Sequence, residues 1–169
     1  NVNPFFEQTF GIELSTAGLL ATVWGIGVVL GGTVGAALMR RIGHRVAIWA
    51  ALALSVGSLI GLALTPNRAW TWPLDLLFGL SYGTYQTLYY ALAMGCTDRR
   101  IAASMYAILM ATSNVAQGVG MALSGALADG IDFRWTFVAL AGLNALALPL
   151  IPALFPRRAV EETVAAAYE

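Results

Sequence analysis

Residues 16–39 read TAGLLATVWGIGVVLGGTVGAALM, a run of 24 residues without a charged side chain. A helix of about 20 predominantly apolar residues crosses the roughly 30 Å hydrocarbon core of a bilayer. Four further apolar runs follow, at 46–64, 74–94, 103–127 and 135–154. These runs are rich in Ala, Leu and Gly and do not alternate with a period of two, which argues against membrane strands. The sequence therefore predicts an all-α membrane protein with about five transmembrane helices.

The composition also indicates that the bilayer is the solvent. The chain is 59% hydrophobic and 11% charged, with a mean hydropathy of +0.73, whereas soluble domains carry roughly a quarter charged residues. The single Cys96 and the single His44 exclude CxxC and HExxH metal sites, and no phosphate-binding or nucleophile motif occurs. The net charge is zero, which gives no sign of a nucleic-acid partner. We therefore expect no enzyme activity, no metal and no cofactor.

The arginines decide the predicted orientation, because basic residues accumulate in short cytoplasmic loops. The loops on one side of the five spans carry Arg40, Arg41, Arg45, Arg99, Arg100, Arg157 and Arg158, whereas Arg68 and Arg134 fall on the other side. The C-terminus is thus predicted to be cytoplasmic, in the cytoplasmic (inner) membrane. Residues 1–15 would be an outer loop segment, residues 16–158 the transmembrane bundle and residues 159–169 a cytoplasmic tail. Asn1 is not an initiating Met, so we expect the native chain to begin upstream.

Glycines form packing surfaces on two of the predicted spans. Gly27, Gly31 and Gly35 recur every four residues in the first span, and Gly118 and Gly125 lie in the fourth. Small residues let helix backbones approach closely in lipid, where packing drives association. Two interpretations stay open at this point. The glycines either fix static helix contacts or provide smooth surfaces that rock against a partner bundle.

The third predicted span carries most of the polar side chains. Tyr82, Tyr85, Gln86 and Tyr89 fall within about one third of the helix circumference at ~100° per residue. By the same arithmetic Asn114 and Gln117 share a face of the fourth span. Exposure of such polar faces to lipid is energetically costly, so we expect them to line a cavity that suits a neutral or zwitterionic solute. The alternative is that these groups only form hydrogen bonds between helices.

Asp75 lies within about one turn of the predicted outer boundary of the third span. We therefore expect a solvated carboxylate at the membrane interface. No other carboxylate falls inside a span. A proton-coupling group is usually an intramembrane acid or histidine, so we expect any such group to lie in sequence outside these 169 residues.

The loop after the first span, residues 36–45, reads AALMRRIGHR. It resembles the cytoplasmic loop motif G-x-x-x-D-R-x-G-R-[RK] of the major facilitator superfamily, with Arg41, Gly43 and Arg45 at matching positions. Ala36, Arg40 and His44 depart from the motif. The resemblance implies that the five spans are helices eight to twelve, part of a C-terminal six-helix bundle. The first and fourth spans would then meet the missing N-terminal half, and the third would line the cavity. Arg41, Gly43 and Arg45 would act as a cytoplasmic gating loop.

Two stretches, at 16–41 and 94–129, are similar to the peptide–acetyl-CoA transporter group with its AmpG-type muropeptide permeases. This similarity implies secondary active transport of a polar small molecule such as a muropeptide, sugar or peptide, with protons as a candidate coupling ion. The expected partners are the lipid bilayer, the missing half of the transporter and the solute. A non-transporting membrane scaffold or pigment-protein assembly factor on the same fold stays open as the alternative.

Overall fold

The computed structural model describes residues 11, 13–65, 67–95, 100–147 and 149, and within them it contains five α-helices and no strand. These are α1 (Leu14–Ile42), α2 (His44–Ala63), α3 (Thr71–Gly95), α4 (Ala102–Ile131) and α5 (Phe133–Ala147), with a short 3₁₀ helix at Arg68–Trp70 before α3. Each of the first four predicted spans lies on one helix to within a few residues, and the fifth does so over its described part. The predicted all-α fold is confirmed.

Two of the described helices, Ser15–Ile42 and His44–Ala63, qualify as membrane spans by length and composition alone, with mean hydropathies of 1.8 and 2.1. Helix α1 has 29 residues, which corresponds to a length of about 43 Å. Only 22% of its most apolar stretch is buried in the bundle. In water such an exposed apolar surface would drive association, but lipid accommodates it. Helices α3 and α4 carry more polar side chains, which lowers their hydropathy.

A single residue with a positive φ angle connects α1 to α2, and another connects α4 to α5. Gly43 (φ 78°, ψ 161°) lies between α1 and α2, and its N–H donates to the carbonyl oxygen of Met39 at 3.2 Å. Asp132 (φ 82°, ψ 151°) lies between α4 and α5. This backbone region is almost restricted to glycine. Gly43 adopts it without a steric cost, whereas Asp132 adopts it with strain.

Helix α3 occupies the centre of the described bundle, with contacts to α1, α2 and α4, while α5 packs against α2 and α4. One apolar core cluster joins α1, α2 and α5 through Leu20, Leu59, Leu62, Ala63, Phe137 and Ala141. A second, smaller cluster joins α2 and α3 through Ala47, Ala51 and Leu88. Helix α4 has no buried residue among those described and is the peripheral element. The core therefore fixes α1, α2, α3 and α5 much more firmly than α4.

Candidate functional site

Close backbone contact with α1 fixes the position of α3. A Cβ added to Gly27 would lie 2.5 Å from the carbonyl oxygen of Leu76, and one added to Gly35 would lie 3.1 Å from that of Thr84. The contacts advance along both helices together, so α1 and α3 run parallel. Only glycine allows this approach at Gly27, because any side chain would overlap the backbone of α3.

The glycine stripe of the first span therefore packs inside this chain. Gly27, Gly31 and Gly35 all face α3, and Gly79 and Gly83 of α3 reciprocate against the backbones of Trp24 and Val28. The expectation that this stripe faces the missing half of a transporter is wrong for these glycines, because α3 already occupies their surface. The structure corresponds to the alternative interpretation, a fixed helix contact.

A cavity of about 240 Å³ lies between α3 and α4. Its lining consists of Tyr82, Tyr85, Gln86 and Tyr89 from α3 and of Ser113, Ala116 and Gln117 from α4. The four α3 residues are those that helical periodicity places on one face. On the α4 side, Ser113 and Ala116 contribute small side chains to the wall. The cavity thus combines aromatic surface with hydroxyl and amide groups, which suits a polar organic molecule.

Two of the lining side chains form hydrogen bonds within the bundle. The Tyr89 hydroxyl donates to the carbonyl oxygen of Leu109 at 3.0 Å, and the Gln86 amide Nε2 donates to the Tyr90 hydroxyl. The Tyr89 bond links α3 to α4 at a residue that lines the cavity. Tyr82 instead stacks at a tilt against Trp24, with ring centroids 5.6 Å apart.

Three cavity side chains retain polar groups for a ligand. Within the described part of the chain, the hydroxyls of Tyr82 and Tyr85 and the amide of Gln117 form no hydrogen bond. Tyr85 is 52% exposed, so its hydroxyl is open to an incoming solute. Ser113 adds a fourth hydroxyl to the lining. The sequence pattern missed Ser113 because a helical serine often bonds its own backbone and signals little.

Asn114 lies outside the lining of the cavity, on an exposed face of α4. The cavity face of α4 is centred on Ser113, Ala116 and Gln117, and Asn114 is rotated by about 100° from Ser113. Gly118 is also exposed, with open space where a side chain would stand. Gly125 is half-buried on the same helix. Gly118 therefore makes no close contact within the described residues, and its role in packing stays a prediction.

The motif residues at 41–45 form the tight connection between α1 and α2. Arg41 is exposed in the last turn of α1, Gly43 is the connecting residue, and Arg45 is half-buried in the first turn of α2. The presence of glycine at position 43 is explained by the positive φ of this residue, which is the single residue between the two helices. Arg100 precedes α4, and the C-terminal ends of the parallel helices α1 and α3 place it at the same end of the bundle. A gating role of Arg41 and Arg45 stays a prediction.

Asp75 is the residue whose position differs most from expectation. It is 1% exposed, and its Oδ2 atom is buried without a hydrogen-bond partner. The expected solvated carboxylate is therefore wrong. Helix α3 begins at Thr71, three residues before the predicted span, so Asp75 lies in the second turn of the helix rather than at its start. It also precedes Gly79 by four residues, which turns it toward the bundle rather than toward water.

Comparison with known proteins identifies the family. The family model of the Major Facilitator Superfamily matches residues 1–169, the whole chain. The chain belongs to the Major Facilitator Superfamily. A curated relative, "Putative metabolite transport protein YwtG" of Bacillus subtilis (strain 168), is 31% identical over 157 residues. The alignment covers 89% of this chain and 33% of the relative, so the chain spans about a third of the length of that protein. No solved structure matches the chain.

Membership of the Major Facilitator Superfamily accords with the fold. The chain is an all-α membrane protein, and its five helices are part of a superfamily bundle. Helices α1 and α3 run parallel, as expected when successive helices alternate in direction across a bilayer. Several predicted features lie outside the described residues: the outer loop at 1–10, Arg99, the end of the fifth span after residue 149, Arg157, Arg158 and the tail at 159–169.

Proposed function

We propose that this chain is part of a secondary active transporter that moves a polar small molecule across the membrane by alternating access. The observation that carries the proposal is the cavity between α3 and α4, with free hydroxyl and amide groups on an aromatic wall. Transporters of this kind bind the solute between helices and expose the site to each side in turn. The matched relative bears the name of a metabolite transport protein, which agrees with the proposal.

The solute class follows from the chemistry of the lining. Tyr82 and Tyr85 provide flat amphipathic surfaces, and Gln117 provides both a donor and an acceptor. No charged side chain is among the lining residues. A neutral or zwitterionic solute such as a sugar, a short peptide or a muropeptide fits this surface better than an ion. The volume of about 240 Å³ is below the usual range for a complete ligand site, which agrees with a site completed by the other half of the transporter.

The remaining parts of the proposal concern the whole protein. The five helices would be the last five of twelve, in the cytoplasmic membrane with the C-terminus in the cytoplasm. Arg41 and Arg45 would help to close the cytoplasmic side. The support for this orientation is the set of arginines, because Arg40, Arg41, Arg45 and Arg100 lie at one end of the described bundle.

Uptake into proteoliposomes that contain the complete transporter tests the function. The probes are labelled D-glucose, N-acetylglucosamine, a tripeptide and a disaccharide-tripeptide muropeptide. We expect uptake of at least one probe, and we expect Tyr82→Ala or Gln117→Ala to reduce it at least tenfold. Asn114→Ala is the matched control, because this residue lies on α4 outside the cavity. Equal uptake by all four proteins would refute the assignment of the cavity.

A protein that takes up none of the four probes and co-purifies with a stable protein or pigment partner would instead support the assembly-factor alternative. Reconstitution therefore needs a co-purification step before the transport measurement. A stable partner in stoichiometric amount is the outcome that counts against transport.

A further inference from the structure

We propose that Asp75 is a proton-carrying site of the transporter, which holds a proton while the start of α3 is packed into the bundle and releases it when that end opens. The proposal rests on the function proposed above and adds a coupling group to it. Asp75 is 1% exposed, and its Oδ2 atom is buried without any hydrogen-bond donor. A charged carboxylate in such a place loses its hydration and gains nothing in return, which is far more costly than burial of the neutral acid.

The positions of the charged side chains leave Asp75 without a counter-ion in the described structure. At the same end of the bundle lie Glu13 before α1, Arg68 in the 3₁₀ helix, Asp129 in α4, and Asp132 and Arg134 at the start of α5. All five are exposed. The Arg134 guanidinium donates to the carbonyl oxygen of Thr65 at 3.1 Å. Helix α2 has its charged and titratable residues, His44 and Arg45, at the opposite end.

The space around Asp75 selects a proton rather than a metal ion. Oδ2 has less than 1 Å² of accessible surface, and a sodium ion would need several oxygen ligands around it. Among the described residues, no group of acidic, histidine or cysteine side chains could hold a metal. A proton needs no cavity, because it forms an O–H bond at Oδ2 itself. Burial of the neutral acid without a partner costs much less than burial of the carboxylate.

The location of Asp75 ties its proton to the movement of α3. Gly79 lies one helical turn further along, where its backbone contacts those of Trp24 and Gly27. Leu74 and Phe78 on the same part of α3 pack against the core cluster of α1, α2 and α5, and in this packed state Oδ2 has less than 1 Å² of accessible surface. Separation of α2 and α5 from this end of the α1–α3 pair would expose the carboxyl, and the O–H bond would then break with the proton leaving to water. The return step is the reverse, with a proton taken from water before the helix packs again.

Infrared spectroscopy of the complete transporter tests this assignment without any solute. A protonated carboxyl has a C=O stretching band that an ionised one lacks. We expect the wild-type protein at pH 7 to show this band and Asp75→Asn to lose it. Asp129→Asn is the matched control, since Asp129 is an exposed acid at the same end of the bundle, and it should leave the band unchanged. Asp75→Glu should shift the band rather than remove it, and it serves if the asparagine variant does not fold.

Identical spectra for wild-type protein, Asp75→Asn and Asp75→Glu would overturn the proposal, because Asp75 would then be ionised. A second measurement uses the probe solute that the wild-type protein accumulates. The Asp75→Asn variant should still exchange this solute across the membrane. Its accumulation of the solute against a concentration gradient should be reduced at least tenfold. Full accumulation by Asp75→Asn would also overturn the coupling role. The infrared band does not depend on transport, so a protein that shows the band and moves no solute refutes the transport function alone.

Discussion

A methyl group added at Gly31 should separate α1 from α3. Gly31 is buried, and a Cβ there would lie 2.8 Å from the carbonyl carbon of Leu80, 2.9 Å from the amide nitrogen of Thr84 and closer still to the Leu80 oxygen. These neighbours are backbone atoms and cannot rotate away. The Thr84 hydroxyl also contacts the Gly31 carbonyl oxygen at 3.0 Å. Gly31→Ala therefore forces one helix to move by about an ångström.

The magnitude follows from two contributions. Overpacking in a close helix contact costs typically 1–3 kcal/mol. Loss of the interhelical hydrogen bond from Thr84 adds about 0.6 kcal/mol, the average measured for such bonds in a membrane protein. We expect Gly31→Ala to lower the free energy of unfolding by about 2–4 kcal/mol. Gly25→Ala is the control, because Gly25 lies on the same helix with no atom within 4 Å, and alanine there should gain up to ~1 kcal/mol from helix propensity.

Unfolding of the purified transporter by sodium dodecyl sulfate in mild detergent micelles measures this difference. Tryptophan fluorescence is a suitable signal, because Trp24 stacks against Tyr82 at this same helix contact. Equal stability of the Gly31 and Gly25 variants, within ~0.5 kcal/mol, the usual spread of substitutions that disturb no packing, would refute the glycine contact. A loss of the same size in both variants would show that any methyl group on α1 is harmful, whatever its position.

Three further changes have definite expected outcomes. Gly43→Ala should lower the free energy of unfolding by about 1–3 kcal/mol, because its φ of 78° disfavours any side chain. The control is Gly57→Ala in the middle of α2, which should raise the free energy of unfolding by up to ~1 kcal/mol. Thermal unfolding compares the two variants, and equal midpoints would contradict the backbone argument. Asp132→Gly should raise the unfolding midpoint, because it relieves a strained backbone worth about 1–3 kcal/mol, and a lower midpoint would assign a stabilising role to the carboxylate. Tyr89→Phe should increase amide hydrogen exchange in α4 roughly threefold, since it removes one bond of ~0.6 kcal/mol to Leu109; unchanged exchange would mean that α4 is fixed by other contacts.

Hydropathy and run length were sufficient to predict the helices, because a bilayer demands a long apolar segment for every span. The boundaries were less accurate where polar residues extend a helix into the interface. Helix α3 begins at Thr71, before the apolar run, because Thr71 and the 3₁₀ helix continue directly into it. This one turn changes the environment of Asp75 from expected solvent to the interior. Hydropathy could not detect it, since the length of an apolar run does not report which side of a helix is buried against its neighbours.

Helical periodicity brought together the four α3 residues that line the cavity, but it misplaced the face of α4. The reason is that polar side chains alone defined the predicted face, through Asn114 and Gln117. A cavity is formed where side chains are small, and Ser113 and Ala116 provide that space. The helix that packs against the α1 glycines could not be predicted from the sequence either, because a glycine stripe indicates a close helix contact but not which helix makes it. Gly79 and Gly83 gave a signal for α3, since their spacing of four matches that of the α1 stripe.

The contrast between the two contacts of α3 indicates which parts of the bundle move. Against α1, glycines interlock backbone to backbone, and such a contact cannot slide without steric overlap. Against α4, the cavity separates the helices, and the Tyr89–Leu109 hydrogen bond joins them. Because α4 has no buried residue among those described, its displacement exposes little core surface. We therefore expect α1 and α3 to move as one unit and α4 to shift against it. A solute in the cavity would contact both units, so its binding would resist that shift.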